Sequence, residues 1–285
     1  MLIAEKKMAW KIEAKSSYWN LNIKELISYR HLLGRLVRKD FLINYQQTLL
    51  GPLWILFQPL LTLVTYVFVF NKIIGVSIGG KLPPVLFYFS GIVLWNLFND
   101  SFFAISKTFR DNIHVFSKVY FPRLIVPLAG IATQFLRFVI QLGLMLVLLV
   151  YFVAFKGFDF AFTWYLAALP LVVLGVGLVS MSLGLIFSVV TAKYRDLSNF
   201  LDIFIRILIF VTPVIYPLSA VKESIRWIVA LNPLTSLFEL FRLGLLGEGT
   251  VSAGQLLYSL VFIIVSLFTA ILVFNKQSAK LIDVI

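Results

Sequence analysis

Residues 124–155 read L-I-V-P-L-A-G-I-A-T-Q-F-L-R-F-V-I-Q-L-G-L-M-L-V-L-L-V-Y-F-V-A-F, with Arg137 as the single charge. A bilayer core about 30 Å thick needs roughly 20 apolar residues in helix, and this run exceeds that length. It reads as a membrane helix, tilted or extending beyond the bilayer. Working outward, comparable runs occupy 52–71, 85–106, 160–192, 197–216 and 255–274. The whole chain is 60% hydrophobic and 13% charged, where soluble chains carry about 25% charge. The expected fold is therefore all-α and integral to the membrane, with six transmembrane helices. A half-apolar stretch at 227–246 is broken by Asn232-Pro233 and Gly244. It reads as one or two short re-entrant or interfacial helices between spans five and six.

The first fifty residues differ in kind. Nine of the 25 Lys/Arg precede Gly51, and no cleavable signal pattern is expected there. The chain divides into a basic cytoplasmic segment, 1–51, and a six-span transmembrane domain, 52–285. Within the basic segment, residues 24–42 form an amphipathic pattern. Leu26, Tyr29, Leu32, Leu33, Leu36, Val37 and Phe41 share one face, while Lys24, Ser28, His31, Arg35, Arg38 and Lys39 share the other. Such a helix is expected to lie in the membrane interface. An even span count puts both termini on one side. The connectors of the opposite side hold only Lys72, Lys81, Lys156, Lys222, Arg226 and Arg242, so the positive-inside tendency makes both termini cytoplasmic. The net charge of +12 is accounted for by topology and anionic lipid, without nucleic acid.

Catalytic chemistry is hard to place. Residues 75–81 fit G-x-x-x-x-G-K, but Leu82 stands where a phosphate-cradling loop needs Ser or Thr, and the flanks are spans. His31 and His114 are the only histidines; no cysteine is present and no acidic cluster has metal spacing. No catalytic residue and no metal site is expected. Four charges fall inside the spans: Asp100, Arg137, Asp202 and Arg206. Such charges default to a functional reading, although pairing is the commoner outcome. Asp202 and Arg206 have i, i+4 spacing, and Asp100 and Arg137 lie at similar depths, so two ion pairs are expected. Aromatic residues including Tyr66, Phe87, Tyr88, Trp95, Phe98, Phe210 and Tyr216 are candidates to line a pathway; an interfacial aromatic belt is the plainer account. Gly175, Gly177, Ser180 and Gly184 favour close helix packing in the fourth span.

A resemblance enters at Tyr45–Pro59, Y-Q-Q-T-L-L-G-P-L-W-I-L-F-Q-P. It continues at Ser90-Gly91-Ile-Val-Leu-Trp95-Asn-Leu-Phe98, Lys118-Val-Tyr-Phe-Pro122-Arg123, Tyr194-Arg195-Asp196-Leu197, Thr212-Pro213-Val-Ile-Tyr216, Asn232-Pro233-Leu and Phe241-Arg242. In order and spacing these resemble the permease subunits of polysaccharide ABC exporters of the Wzm, KpsM and TagG type. Asn44 and Gln46 depart from the basic residues usual there. The resemblance implies a homodimer in the bacterial cytoplasmic membrane, working with two copies of a separate ATPase that carries ATP and Mg. The chain itself would hold no cofactor and would not be an enzyme.

The same resemblance implies roles for particular residues. Arg110, Lys118, Arg123, Tyr194, Arg195 and Asp196 would couple to the ATPase. Arg35, Arg38, Lys39 and Tyr45 would meet the diphosphate of a polyprenyl-linked glycan such as O-antigen. Tyr66, Tyr88, Trp95, Phe98, Phe210 and Tyr216 would line the path, and Trp227, Asn232, Pro233 and Arg242 would form an outer gate. An exporter of drugs or small lipids, a membrane glycosyl- or acyltransferase, and a passive channel are the competing readings.

Overall fold

The computed structural model of the protein describes residues 23–76, 78, 82–112, 121–160, 163–194 and 196–284. Part of the 75–81 loop, Lys118, Arg195 and the first 22 residues lie outside them. Among the described residues the chain is helical, without strands. A basic pair of helices, α1 (Ile23–Ser28) and α2 (Arg30–Ile43), leads to α3 (Trp54–Tyr66), which continues as a π-helical stretch, Val67–Ile73. Next come α4 (Pro84–Ser106), the short α5 (Thr108–Asp111), α6 (Ile125–Lys156), α7 (Leu169–Lys193) and α8 (Leu197–Val211). Last are α9 (Glu223–Ala230), α10 (Pro233–Leu246) and α11 (Ala253–Val284).

Among the described residues, four helical stretches are long and apolar enough to cross a membrane: Gly51–Ile73, Ile125–Lys156, Trp164–Lys193 and Ala253–Gln277. α9 and α10 meet at a 98° bend at Asn232-Pro233, a geometry shared by a broken span and a re-entrant pair. The predicted second and fifth spans fall short for different reasons. α4 has the length, 23 residues, but Asn96, Asn99 and Asp100 lower its apolarity. It sits at the centre of the bundle against α3, α6, α7 and α10, where a helix need not be lipid-compatible. α8 is only 15 residues long, and of these only Ser198, Leu201 and Ile205 are buried.

The packing follows from side-chain size. α7 approaches α4 closely because Gly184 has no Cβ; one placed there would lie 2.8 Å from Ile105 Cβ. Buried Ser180 and Ser182 return their hydroxyls to the carbonyls of Gly177 and Val179, so neither leaves an unpaired polar group on this face. Large apolar side chains, by contrast, face outward on α3, α6, α8 and α11, among them Phe57, Val147, Phe204 and Ile264. Outward apolar faces around an interior with buried polar groups mark a lipid-embedded body.

The amphipathic helix forms as expected, but its apolar face is not free. Leu26, Tyr29, Leu32, Leu33 and Leu36 pack on Phe121, Ile125 and Val126 at the start of α6. Its polar face, with His31, Arg35, Arg38 and Lys39, is exposed.

Candidate functional site

Three polar features lie in or on this apolar body. The first is a buried knot joining α10 and the segment before α9 to α4. Arg242 and Glu239 sit one turn apart on α10, with Nη1 and Oε1 3.4 Å apart and side chains only 2% and 3% exposed. Two charges taken out of water cost several kcal/mol each unless every lone pair and proton is met. Here they are met. The Glu239 carboxylate accepts from the Leu218 N–H at 3.4 Å and from the Thr250 N–H at 2.9 Å and hydroxyl at 3.3 Å. Arg242 donates from Nη2 to the Val214 carbonyl at 2.9 Å and from Nε to Ser90 Oγ at 3.4 Å. Its guanidinium carbon lies 3.9 Å from the Phe87 ring centre, a cation–π contact away from water.

Gly91 makes the knot possible. A Cβ there would lie 2.6 Å from the Val214 oxygen and 2.8 Å from Arg242 Nη2, inside the space of the hydrogen bond between them. Asn232 completes the arrangement: its side-chain oxygen caps α10 by accepting from the Leu234 N–H at 3.0 Å, and Nδ2 donates to Thr212 Oγ1 at 2.8 Å. Thus Ser90-Gly91, Thr212-Pro213, Asn232-Pro233 and Phe241-Arg242, scattered in sequence, meet in one place. Glu239 was not singled out from the sequence. The signal was available: an acid three residues before a base inside the apolar run L-F-E-L-F-R.

The second feature is a polar chamber of about 120 Å³ between the start of the first span, α4 and α6. Tyr45, Trp54, Gln58, Asn96, Asn99, Asp100, Arg137 and Gln141 line it. Asn96 Nδ2 donates to Gln141 Oε1 at 3.3 Å, and Gln141 Nε2 donates to the Ile55 carbonyl at 3.3 Å, fixing the carboxamides. Asn99 Nδ2 holds Asp100 Oδ1 at 2.8 Å. The Arg137 guanidinium lies 5.4 Å from the Tyr45 ring centre, and its Nε is buried without a hydrogen-bond partner. Burial holds the Tyr45 phenol above the usual tyrosine range, with Arg137 opposing and Asp100 adding, so it stays a neutral donor at physiological pH.

The third is an open groove of about 390 Å³ between α4 and α8, lined by Trp95, Asn99, Phe103, Asp202, Ile205, Arg206, Ile209 and Phe210. Asn99 faces both groove and chamber.

The expected ion pairs are not formed. Asp202 lies 3.9 Å from Lys107 Nζ at the end of α4 and makes no salt bridge with Arg206, because tertiary packing offers a nearer cation than the i+4 neighbour. Asp100 and Arg137 share the chamber without a salt bridge between them; Asn99 and the Tyr45 ring are their neighbours instead.

The pathway candidates separate. Trp95 and Phe210 line the groove. Tyr88 and Phe98 are fully buried in the core, Phe87 holds Arg242, Tyr66 packs edge-on against Tyr88, and Tyr216 donates its hydroxyl to the Phe210 carbonyl at 2.8 Å. α4 is buried along most of its length, so its aromatic positions point into several packed faces and only Trp95 and Phe103 reach the groove. Of the outer-gate candidates, Trp227 is exposed while Asn232 and Arg242 are buried in the knot.

Of the ATPase-coupling candidates, Arg110 donates to Asp111 at 2.9 Å and to Ser198 Oγ at 3.2 Å, tying α5 to the first turn of α8. Tyr194 is half exposed under Lys193, and Asp196 precedes α8 on the surface. Arg123 is half-buried.

Comparison with known proteins follows the same lines. Residues 31–246 match the family model described as ABC-2 type transporter. Two O-antigen export system permease proteins RfbA of Klebsiella pneumoniae are 28% identical over 258 residues and 26% over 254, each alignment covering 89% of this chain and 95% of the relative. One of that name from Myxococcus xanthus is 32% identical over 217 residues, 75% of this chain and 80% of the relative. The family expected from the dispersed motifs is thus the one matched over most of the chain: this protein belongs to the ABC-2 type transporter membrane family.

Proposed function

We propose that the chain is the transmembrane subunit of an ATP-driven exporter of a lipid-linked polysaccharide such as O-antigen. One observation carries this: relatives named as O-antigen export permeases align along 95% of their own length. Family membership makes the chain a multi-pass transport subunit, not an enzyme, and implies a partner ATPase. That partner, in two copies, would bind ATP and Mg. We read six crossings, with α4 and α8 as the second and fifth, a permease domain at 52–285, and both termini in the cytoplasm at the bacterial inner membrane. α2 would then lie at the cytoplasmic interface, presenting Arg35, Arg38 and Lys39 to a lipid diphosphate.

The groove supports a homodimer. Asp202 and Arg206 sit on its open side, and charges facing acyl chains are costly. A second copy opposite would convert the groove into a shielded aqueous path, with Trp95 and Phe210 as faces on which sugar rings slide. In this reading Arg110, Lys118, Arg123, Tyr194, Arg195 and Asp196 meet the ATPase, and the knot holds the outer gate.

The test is reconstitution with its partner ATPase in proteoliposomes. A polyprenyl-diphosphate glycan should stimulate ATP turnover and appear on the far face. Stimulation by small amphiphiles and not by glycolipid would favour a drug or lipid exporter instead.

A further inference from the structure

The chamber between Tyr45 and Arg137 is more than a packing defect. A structural ion pair between Asp100 and Arg137 would close the space; the two charges instead share an open chamber without pairing. Arg137 Nε is buried and unpartnered, although a guanidinium proton in such a place is costly when unmet. Asn96 and Gln141 are held by hydrogen bonds to one another and to backbone, so they are pre-set and not adaptable. Donors (Arg137, Tyr45) and acceptors (Asp100, carboxamide oxygens) thus face one another without net charge. An inorganic anion or diphosphate would meet the Asp100 carboxylate, whereas a hydroxyl both donates and accepts.

The space, about 120 Å³, equals about four waters, enough for the hydroxyl-bearing edge of one ring. Trp54 lines the same chamber and offers an aromatic face. Arg137 lies about 18 Å along α6 from Ile125, the end against which α2 packs. Asn99 opens onto the groove beyond.

We propose that this chamber binds one sugar residue of the cargo by its hydroxyl edge, on the α2 side of the pathway. The proposal rests on the glycan-export reading and adds to it a sugar-specific subsite distinct from the diphosphate contacts on α2.

The test uses the full-length permease–ATPase complex in lipid nanodiscs with two probes: a short polyprenyl diphosphate bearing one N-acetylhexosamine, and the same lipid without sugar. Wild type should prefer the sugar-bearing probe by about tenfold or more, the worth of a few buried polar contacts. Asp100→Asn and Arg137→Lys should erase that preference while leaving affinity for the bare diphosphate unchanged. Tyr45→Phe, which removes one hydroxyl at the rim, should reduce the preference in a chain least prone to misfold. Equal loss for both probes would mean that the chamber reads the diphosphate, and an undiminished preference in the variants would place sugar recognition elsewhere; either overturns the proposal. If wild type binds both lipids without preference, the subsite is refuted while the export reading stands. If it binds neither, both fall together.

Discussion

Gly91→Ala is the sharpest probe of the knot. The added methyl would sit 2.6 Å from the Val214 carbonyl oxygen and 2.8 Å from Arg242 Nη2, distances that real Cβ atoms do not keep. Neither neighbour is the loose end of a flexible chain: one is backbone, the other a guanidinium held by Glu239, Ser90 and Phe87. Overpacking of a rigid core costs about 1–3 kcal/mol. Displacing Arg242 also weakens a charged hydrogen bond of 2.9 Å, about 1.5–3 kcal/mol. The two add to about 3–6 kcal/mol, offset only slightly by the gain of roughly 1 kcal/mol from alanine's better helix propensity. By soluble-protein scaling each kcal/mol lowers a melting midpoint by about 2–4 °C, so a fall of about 5 °C or more is expected. The assay is thermal unfolding of the detergent-purified permease. Gly143→Ala is the control, since its Cβ would meet nothing within 4 Å. In an Arg242→Met background, the cost of Gly91→Ala should shrink, because one of its two obstacles is gone. If Gly91→Ala melts with wild type, the knot is not the rigid joint described and the reasoning fails.

Other substitutions separate the remaining features. Asn232→Ala should cost about 1–2 kcal/mol through the lost α10 cap and the lost bond to the Thr212 hydroxyl, seen as a lower melting midpoint. Glu239→Gln keeps the shape but removes the charge opposite Arg242; breaking a buried pair costs about 3–5 kcal/mol, so expression and melting should both fall. Arg110→Ala removes a single partly buried contact to Ser198, so stability should fall by only about 1 kcal/mol while glycolipid-stimulated ATP turnover drops. Charge reversal of Arg35 and Arg38 together should weaken glycolipid stimulation in a salt-sensitive way, with stability unchanged because both are exposed.

Much of the architecture was legible because lipid imposes a simple rule on sequence. Long apolar runs became α6 and α7, and Asn232-Pro233 became the sharp turn between α9 and α10. What resisted was partner choice. A helical wheel shows that Leu26, Tyr29 and Leu33 share a face, yet lipid and the start of α6 are equally acceptable apolar neighbours. The i, i+4 rule describes an isolated helix, and Lys107 on another helix won Asp202 from Arg206. The aromatic residues of α4 could not be sorted into lining and core, because a helix buried along most of its length shows little periodicity to reveal its faces. The role of Gly91 was invisible for a deeper reason: an absent side chain carries no signal until its neighbours are known.

The sparse seating of α8 has a mechanical consequence. A helix with three buried residues resists displacement far less than α4, which is held along most of its length. Its first turn is tethered to α5 through Arg110 and Ser198, while its other end runs into the tightly bonded Thr212–Val214 segment. Such an element behaves as a stiff rod on a soft mounting, pinned at the far end and pushed at the near one. Backbone amide exchange should therefore be faster in α8 than in α4 or α7. The groove width is then the most compliant dimension of the molecule, yielding first to any load applied at α5.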